Sequence, residues 1–221
     1  MVINDNKLYI KLMEMTNLLI SVINFSSLMI AIFIMGYVYI ISVQPMKRVE
    51  KRGNKAWKEC KIYRTVGGFF ELVSVINLIL WIWFPLPIFN EWKISENIWV
   101  GIILGILIMI PCLIVLGKGV IDAGSETLFP SEETEMYGGI YNYIRHPQSI
   151  GEFPLFIAIS FMLNSWFLVI ISTILIIIYF PIMIHFEEKD LIRRFGGKYI
   201  IYKERTGALF PKLKKHEKRG E

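Results

Sequence analysis

Three long stretches of this 221-residue chain contain no charged residue: Leu18 to Val43, Ile98 to Gly117 and Trp166 to Ile184. Spanning a hydrocarbon layer of roughly 30 Å takes about 20 apolar residues at ~1.5 Å of helical rise each. Lipid offers no partners to the backbone, so a chain with several such stretches must close its hydrogen bonds inside helices. A fourth stretch, Val66 to Phe89, carries one charge, Glu71. A fifth and shorter one follows Pro147 and ends at Leu163. The expectation is an all-α integral membrane protein of about five transmembrane helices. A hydrophobic content of 54% and a mean hydropathy of +0.50 agree with it. No internal repeat or low-complexity tract divides residues 1–221, so they read as a single membrane domain.

The predicted helices run from about Asn17 to Val43, Thr65 to Phe84, Asn97 to Gly117, Pro147 to Leu163 and Trp166 to Phe186. Proline suits the first turn of the fourth, and Asn164-Ser165 makes a tight turn into the fifth, giving a C-terminal helical hairpin. The fourth is at the short end for a span and can be read as a short hairpin arm. Charge is uneven along the chain. Pro45 to Arg64 holds eight Lys or Arg against two Glu, and the segment after Ile184 holds eleven against six acids. Asn90 to Asn97 has Lys93 against Glu91 and Glu96. Positive charge beside helix ends marks the cytoplasmic side. This predicts a multi-pass cell-membrane protein with its N-terminus outside, its C-terminus cytoplasmic and the Asn90–Asn97 loop outside. The first seventeen residues carry Asp5, Lys7, Lys11 and Glu14 with no cleavage pattern after the first apolar run, so no signal peptide is expected. Basic segments beside apolar spans read as membrane-surface contacts with lipid rather than as nucleic-acid sites, and no obligatory protein partner is evident. Cys60 in a basic loop and Cys112 in an apolar run read as two unrelated thiols. No metal-ligand spacing is present.

The hairpin returns the chain to the side it left. It therefore brings together two polar segments, Tyr137 to Glu152 and Glu187 to Tyr202, at one membrane surface. In these segments Gly139-Ile-Tyr141, Arg145-His146-Pro147 and Gly151 precede the hairpin. Glu187, Glu188, Leu191, Phe195, Gly196, Tyr199 and Tyr202 follow it, and Arg205-Thr-Gly-Ala-Leu-Phe-Pro211 closes the region. The pattern resembles the G-x-Y-x-x-x-R-H-P-x-x-x-G and E-E-x-x-L-x-x-x-F-G-x-x-Y-x-x-Y segments of the isoprenylcysteine carboxyl methyltransferase and phospholipid methyltransferase superfamily. The likeness covers about 135–211, the methyltransferase-like catalytic region.

The resemblance implies a cytoplasmic-facing site for S-adenosylmethionine, with cofactor contacts at Glu135, Met136, Tyr141, His146, Pro147, Gln148, Ser149 and Glu187. It implies catalytic roles for Arg145, Glu187 and Glu188 and a lipid-like or prenylated acceptor. A sulfonium cofactor with an ammonium and a carboxylate needs an acceptor such as Glu187. It also needs donors such as Arg145, His146 and the N–H groups of a helix start, and aromatic faces such as Tyr137, Tyr141 and Tyr143. Each residue also has a structural reading: His146 as a cap, Arg145 as an interfacial cation, Glu187 and Glu188 as a solvated helix end, Tyr199 and Tyr202 as interface anchors. Two positions depart from the family. Ser149 stands where a Tyr is usual, and Met183 where isoprenylcysteine enzymes carry an Arg one turn before the Glu pair.

Two other classes fit parts of the sequence. A membrane sterol-type reductase using NADPH carries a similar R-H-P-x-x-x-G-E stretch, which Glu152 matches. A channel or transporter predicts polar residues spread through several spans, and the first, third and fifth helices have almost none.

Overall fold

The computed structural model describes residues 2–132, 136 and 138–212, with side chains from Lys7 onward. Among these residues seven α-helices follow in order: α1 (Val2–Ser42), α2 (Pro45–Arg52), α3 (Lys55–Leu80), α4 (Ile98–Ala123), α5 (Pro147–Met162), α6 (Trp166–Phe195) and α7 (Gly197–Arg205). Short 3-10 turns lie between α3 and α4 and between α4 and α5, and there is no strand among the described residues. Four of the described helices, α1, α3, α4 and α6, are long and apolar enough to cross a membrane. The protein is an all-α integral membrane protein.

α5 has 16 residues, too few for a span judged on length alone. Its packing shows what height it covers. α4 and α5 lie antiparallel, and their backbones touch where α4 or α5 lacks a side chain. A Cβ on Gly105 would sit 2.6 Å from the Ala158 carbonyl oxygen, and one on Gly151 2.6 Å from that of Cys112. Gly101 meets Phe161, and Gly119 meets Gln148. Small residues let helices approach this closely in lipid, where packing replaces the hydrophobic drive. The 16 residues of α5 thus run beside α4 from Gly119 to Gly101.

The helix ends explain the two ends of the bundle. At one end, Asn164 takes a left-handed φ of 55° and its amide clamps the loop before α4. It donates to the Ser95 carbonyl at 2.8 Å and accepts from the Ser95 N–H at 3.1 Å. Ser165 caps α6 by accepting from the Leu168 N–H at 3.3 Å. Here Leu28, Leu78, Trp81 and Leu168 form a buried core, on which Phe167 stacks against Trp81 with ring centroids 5.6 Å apart.

At the other end gather the last turns of α1, α4 and α6 and the first turns of α3 and α5. α2 is held there by Asp190 of α6, whose carboxylate accepts the Met46 and Lys47 N–H groups at 2.9 and 2.8 Å. A carboxylate at a helix N-terminus is favoured by the helix dipole.

Several boundaries differ from expectation. α1 begins at Val2 rather than near Asn17, and α3 at Lys55 rather than Thr65. Both extensions carry charged residues, which break the uncharged run by which the sequence marks a span. α6 continues to Phe195, nine residues past the predicted end at Phe186. Glu187 and Glu188 are therefore inside a helix, not at its C-terminus.

Candidate active site

The segment before α5 is shaped by two glycines. Gly139 has a φ of +59°, a region that glycine enters without steric cost. Its missing Cβ also leaves room for Asp122, whose carboxylate accepts the Ile140 N–H at 2.7 Å. The 3-10 turn Gly139–Asn142 then turns Tyr141 inward. The Tyr141 hydroxyl donates to the Gly119 carbonyl at 3.2 Å and accepts from the Gln148 amide at 3.0 Å. Next, Arg145 and His146 pair with the closing segment. Their N–H groups donate to the carbonyls of Gly207 and Ala208 at 2.9 and 3.2 Å. A side chain at position 207 would strike the Phe210 carbonyl, so Arg205–Pro211 serves as a strap that fixes the Arg145–His146 backbone.

The two motifs meet through ionic contacts. The His146 ring, 4% exposed, lies 2.9 Å from Glu187 by Nδ1 and 3.2 Å from Glu188 by Nε2. Burial alone would depress its pKa. The two carboxylates outweigh that and hold it at about 9, above the ordinary 6.5. At neutral pH both ring nitrogens therefore carry protons and both donate. Glu188 also accepts from Arg145 Nε at 2.8 Å and pairs with Lys203 Nζ at 2.5 Å. Arg145 spends further donors on the carbonyls of Lys203 and Thr206.

A cleft opens beside this cluster. Met136, Tyr141, Arg145, His146, Pro147, Gln148, Ser149 and Glu187 all line it. Glu188 does not: it is buried behind the wall, with its oxygens taken by Arg145, His146 and Lys203. Glu135 and Tyr137 lie outside the described residues. Tyr143 is exposed and is not part of the wall. Tyr199 and Tyr202 are, and the Tyr202 hydroxyl donates to the Tyr141 carbonyl at 2.6 Å. Burial pushes the Tyr202 phenol up to about 12 and raises those of Tyr141 and Tyr199 further, so all three stay protonated.

The cleft also has walls that the motifs do not reveal. Tyr39 comes from α1 and Arg64 from α3; Glu126 and Thr127 come from the turn after α4. Arg64 Nη1 donates to the Glu126 and Thr127 carbonyls at 2.6 and 2.9 Å, while its Nε is buried without a partner. The Tyr199 hydroxyl is likewise buried and unpaired. A buried donor left unmade is costly. Both residues are among those lining the cleft. No spacing in the sequence ties Arg64 to the site; only the packing of α3 does.

Residues 97–198 match the model of the phospholipid methyltransferase family (PEMT). The match runs from the start of α4 to the second residue of α7. It is consistent with the membrane methyltransferase superfamily that the two motifs resemble, and methyl transfer on lipid-like substrates is what that family implies. The matched stretch supplies the Glu187–His146 contact and most of the cleft wall, whereas Tyr39 and Arg64 lie before it. Among curated proteins and among solved structures, none matches the chain.

Proposed function

We propose that this protein transfers a methyl group from S-adenosylmethionine to a lipid-like acceptor at the inner membrane surface. The observation that carries the reading is the cleft between the start of α5 and the last turns of α6, where Glu187, His146 and Arg64 share one space with the aromatic side chains of Tyr141, Phe195 and Tyr199. The residues fit the cofactor. Glu187 offers a carboxylate for its ammonium. The Arg64 Nε and the first-turn N–H groups of α5, which have no helical partner, offer donors for its carboxylate. Tyr141, Phe195 and Tyr199 offer faces for adenine and for the sulfonium. When bound, the cofactor supplies an electrophilic methyl carbon.

The chain's own part is then positioning and desolvation. Glu188 touches neither reactant in this account. It is a positioning residue that holds Arg145 and His146, and through His146 it orients Glu187. The family's acceptor-holding Arg is replaced by Met183, which is 0% exposed. Three cations on the same helix do not take that task over: His185 is exposed beside Phe186, Arg193 pairs with Glu50 and Asp190, and Arg194 pairs with Glu126. This supports a non-carboxylate acceptor such as an amine-headed lipid, which must lose a proton before attack. The basic ends of α2 and α3 support a cytoplasmic position for the cleft.

Purified protein in detergent, given tritium-methyl S-adenosylmethionine and a total lipid extract, should label a lipid. Titration with S-adenosylhomocysteine and with NADPH gives the second arm. Binding of NADPH alone, with no label in lipid, would overturn the proposal and favour a reductase.

A further inference from the structure

At the site end of the bundle, but outside the cleft, α1 and α2 meet in an elbow. α1 ends at Ser42, Val43 and Gln44 make the turn, and α2 starts at Pro45. Asp190 fixes the angle by accepting both the Met46 and the Lys47 N–H groups. A recess in this elbow is lined by Ile41, Gln44, Lys47, Arg48, Lys51 and Arg52, none of them acidic. On α2, Lys47 and Lys51 stand four residues apart, as do Arg48 and Arg52, so the four cations share one side of the helix.

The fold does not neutralise these charges. Arg48 and Arg52 share a single carboxylate, that of Glu59 on α3, at 2.6 and 3.3 Å. Lys47 donates to the side-chain oxygen of Gln44 at 3.2 Å, a neutral partner. Lys51 is exposed and makes no ion pair among the described residues. Glu50, the acid of α2, pairs with Arg193 of α6 instead. Four cations against one carboxylate leave an excess of positive charge. Like charges at i, i+4 repel, and an anion seated between them turns that repulsion into attraction.

We propose that this elbow binds the phosphate of an anionic membrane lipid, which is held there and not methylated. Its height selects a lipid over a soluble phosphate. Ile41 lies in the last turn of α1, a helix long and apolar enough to span, so the recess stands where hydrocarbon gives way to headgroups. The lining changes in the same direction, from Ile41 through the amide of Gln44 to the four cations of α2. A phosphodiester with glycerol beneath it meets partners in that order, and charged Arg and Lys donors make strong hydrogen bonds to phosphate oxygens. Charge separates this lipid from the methyl acceptor. The elbow calls for an anion, the acceptor proposed above has an amine head, and no side chain of the elbow lines the cleft. The assignment does not depend on the methyltransferase reading.

The test compares two lipids with identical chains. Full-length protein in detergent is mixed with phosphatidylglycerol or phosphatidylcholine, and bound lipid is counted by native mass spectrometry. The parent should retain phosphatidylglycerol several-fold over phosphatidylcholine. Lys47→Gln combined with Lys51→Gln removes two charges of the elbow and should weaken phosphatidylglycerol binding on the order of 10-fold. Lys55→Gln combined with Lys58→Gln removes two charges from the exposed start of α3, outside the recess, and should leave binding as in the parent. Melting temperatures report folding; should the first pair fail to fold, Lys51→Gln and Lys58→Gln are compared as single variants. Equal loss in the two pairs would make the elbow part of a diffuse basic surface and overturn the proposal. Equal retention of both lipids by the parent would overturn it too. So would displacement of phosphatidylglycerol by inorganic phosphate at the same concentration, which would mark a site for soluble anions.

Discussion

At the scale of single residues, His146 links the two motifs, and its ion pairs give a pH signature. Its folded pKa of about 9 lies above its ordinary 6.5. A raised pKa means that the folded state binds the proton more tightly, so this stability is complete below about pH 6.5 and is lost as pH rises through about 9. The melting temperature in detergent should therefore fall across that window, and His146→Gln should flatten the fall. An equal slope in both proteins would show that the ring is neutral in the fold. Arg64 gives a second test. Its unpaired Nε is assigned to the cofactor's carboxylate, so Arg64→Met should weaken S-adenosylhomocysteine binding. Methylthioadenosine lacks both the carboxylate and the ammonium, so it should bind parent and variant alike. If both ligands lose affinity equally, Arg64 shapes the cleft rather than reading the carboxylate.

At the scale of elements, the position of His146 depends on how closely α5 lies against α4. Gly151 sets that distance, because the atoms next to its absent Cβ are the backbone atoms Leu116 N and Cys112 O. Backbone cannot swing aside as a side chain can. Gly151→Val should cost about 1–3 kcal/mol, as overpacking does, and should lower cofactor affinity with it, since the first turn of α5 carries Gln148 and Ser149. Measurement is by thermal unfolding and calorimetry on one preparation. Gly151 and the Arg145-His146-Pro147 run were legible in the sequence because chemistry and close packing restrict residue type there. The hairpin that joins the two motifs was legible from apolar runs and one Asn-Ser turn. Arg64 and Tyr39 were not: each sits in a helix whose sequence shows only an apolar stretch with basic flanks, and nothing local says which neighbour it will meet. The true end of α6 was hidden too, because its last nine residues are mostly charged and hydropathy stops where charge begins.

At the scale of the whole molecule, the bundle has a core at one end and a site at the other, with basic segments flanking the site. The charge asymmetry predicts that the site end is cytoplasmic. Cys60 is buried, its thiol against the Ile41 carbonyl, so placed cysteines are the better reporters. In intact cells an impermeant thiol reagent should label Glu91→Cys, in the exposed loop before α4, and reach Lys58→Cys only after permeabilisation; the reverse pattern would invert the topology. The central claim is that Glu187 faces the bound cofactor inside this cleft. The measurement that tests it most directly is calorimetric titration of S-adenosylhomocysteine into the parent, Glu187→Gln and Lys189→Gln, the last removing a nearby exposed charge as a control. One lost charge-assisted hydrogen bond is worth about 1.5–3 kcal/mol, on the order of 10- to 150-fold in affinity. The account predicts a loss of that size for Glu187→Gln and parent-like binding for Lys189→Gln; Glu187→Gln binding as tightly as the parent would contradict it.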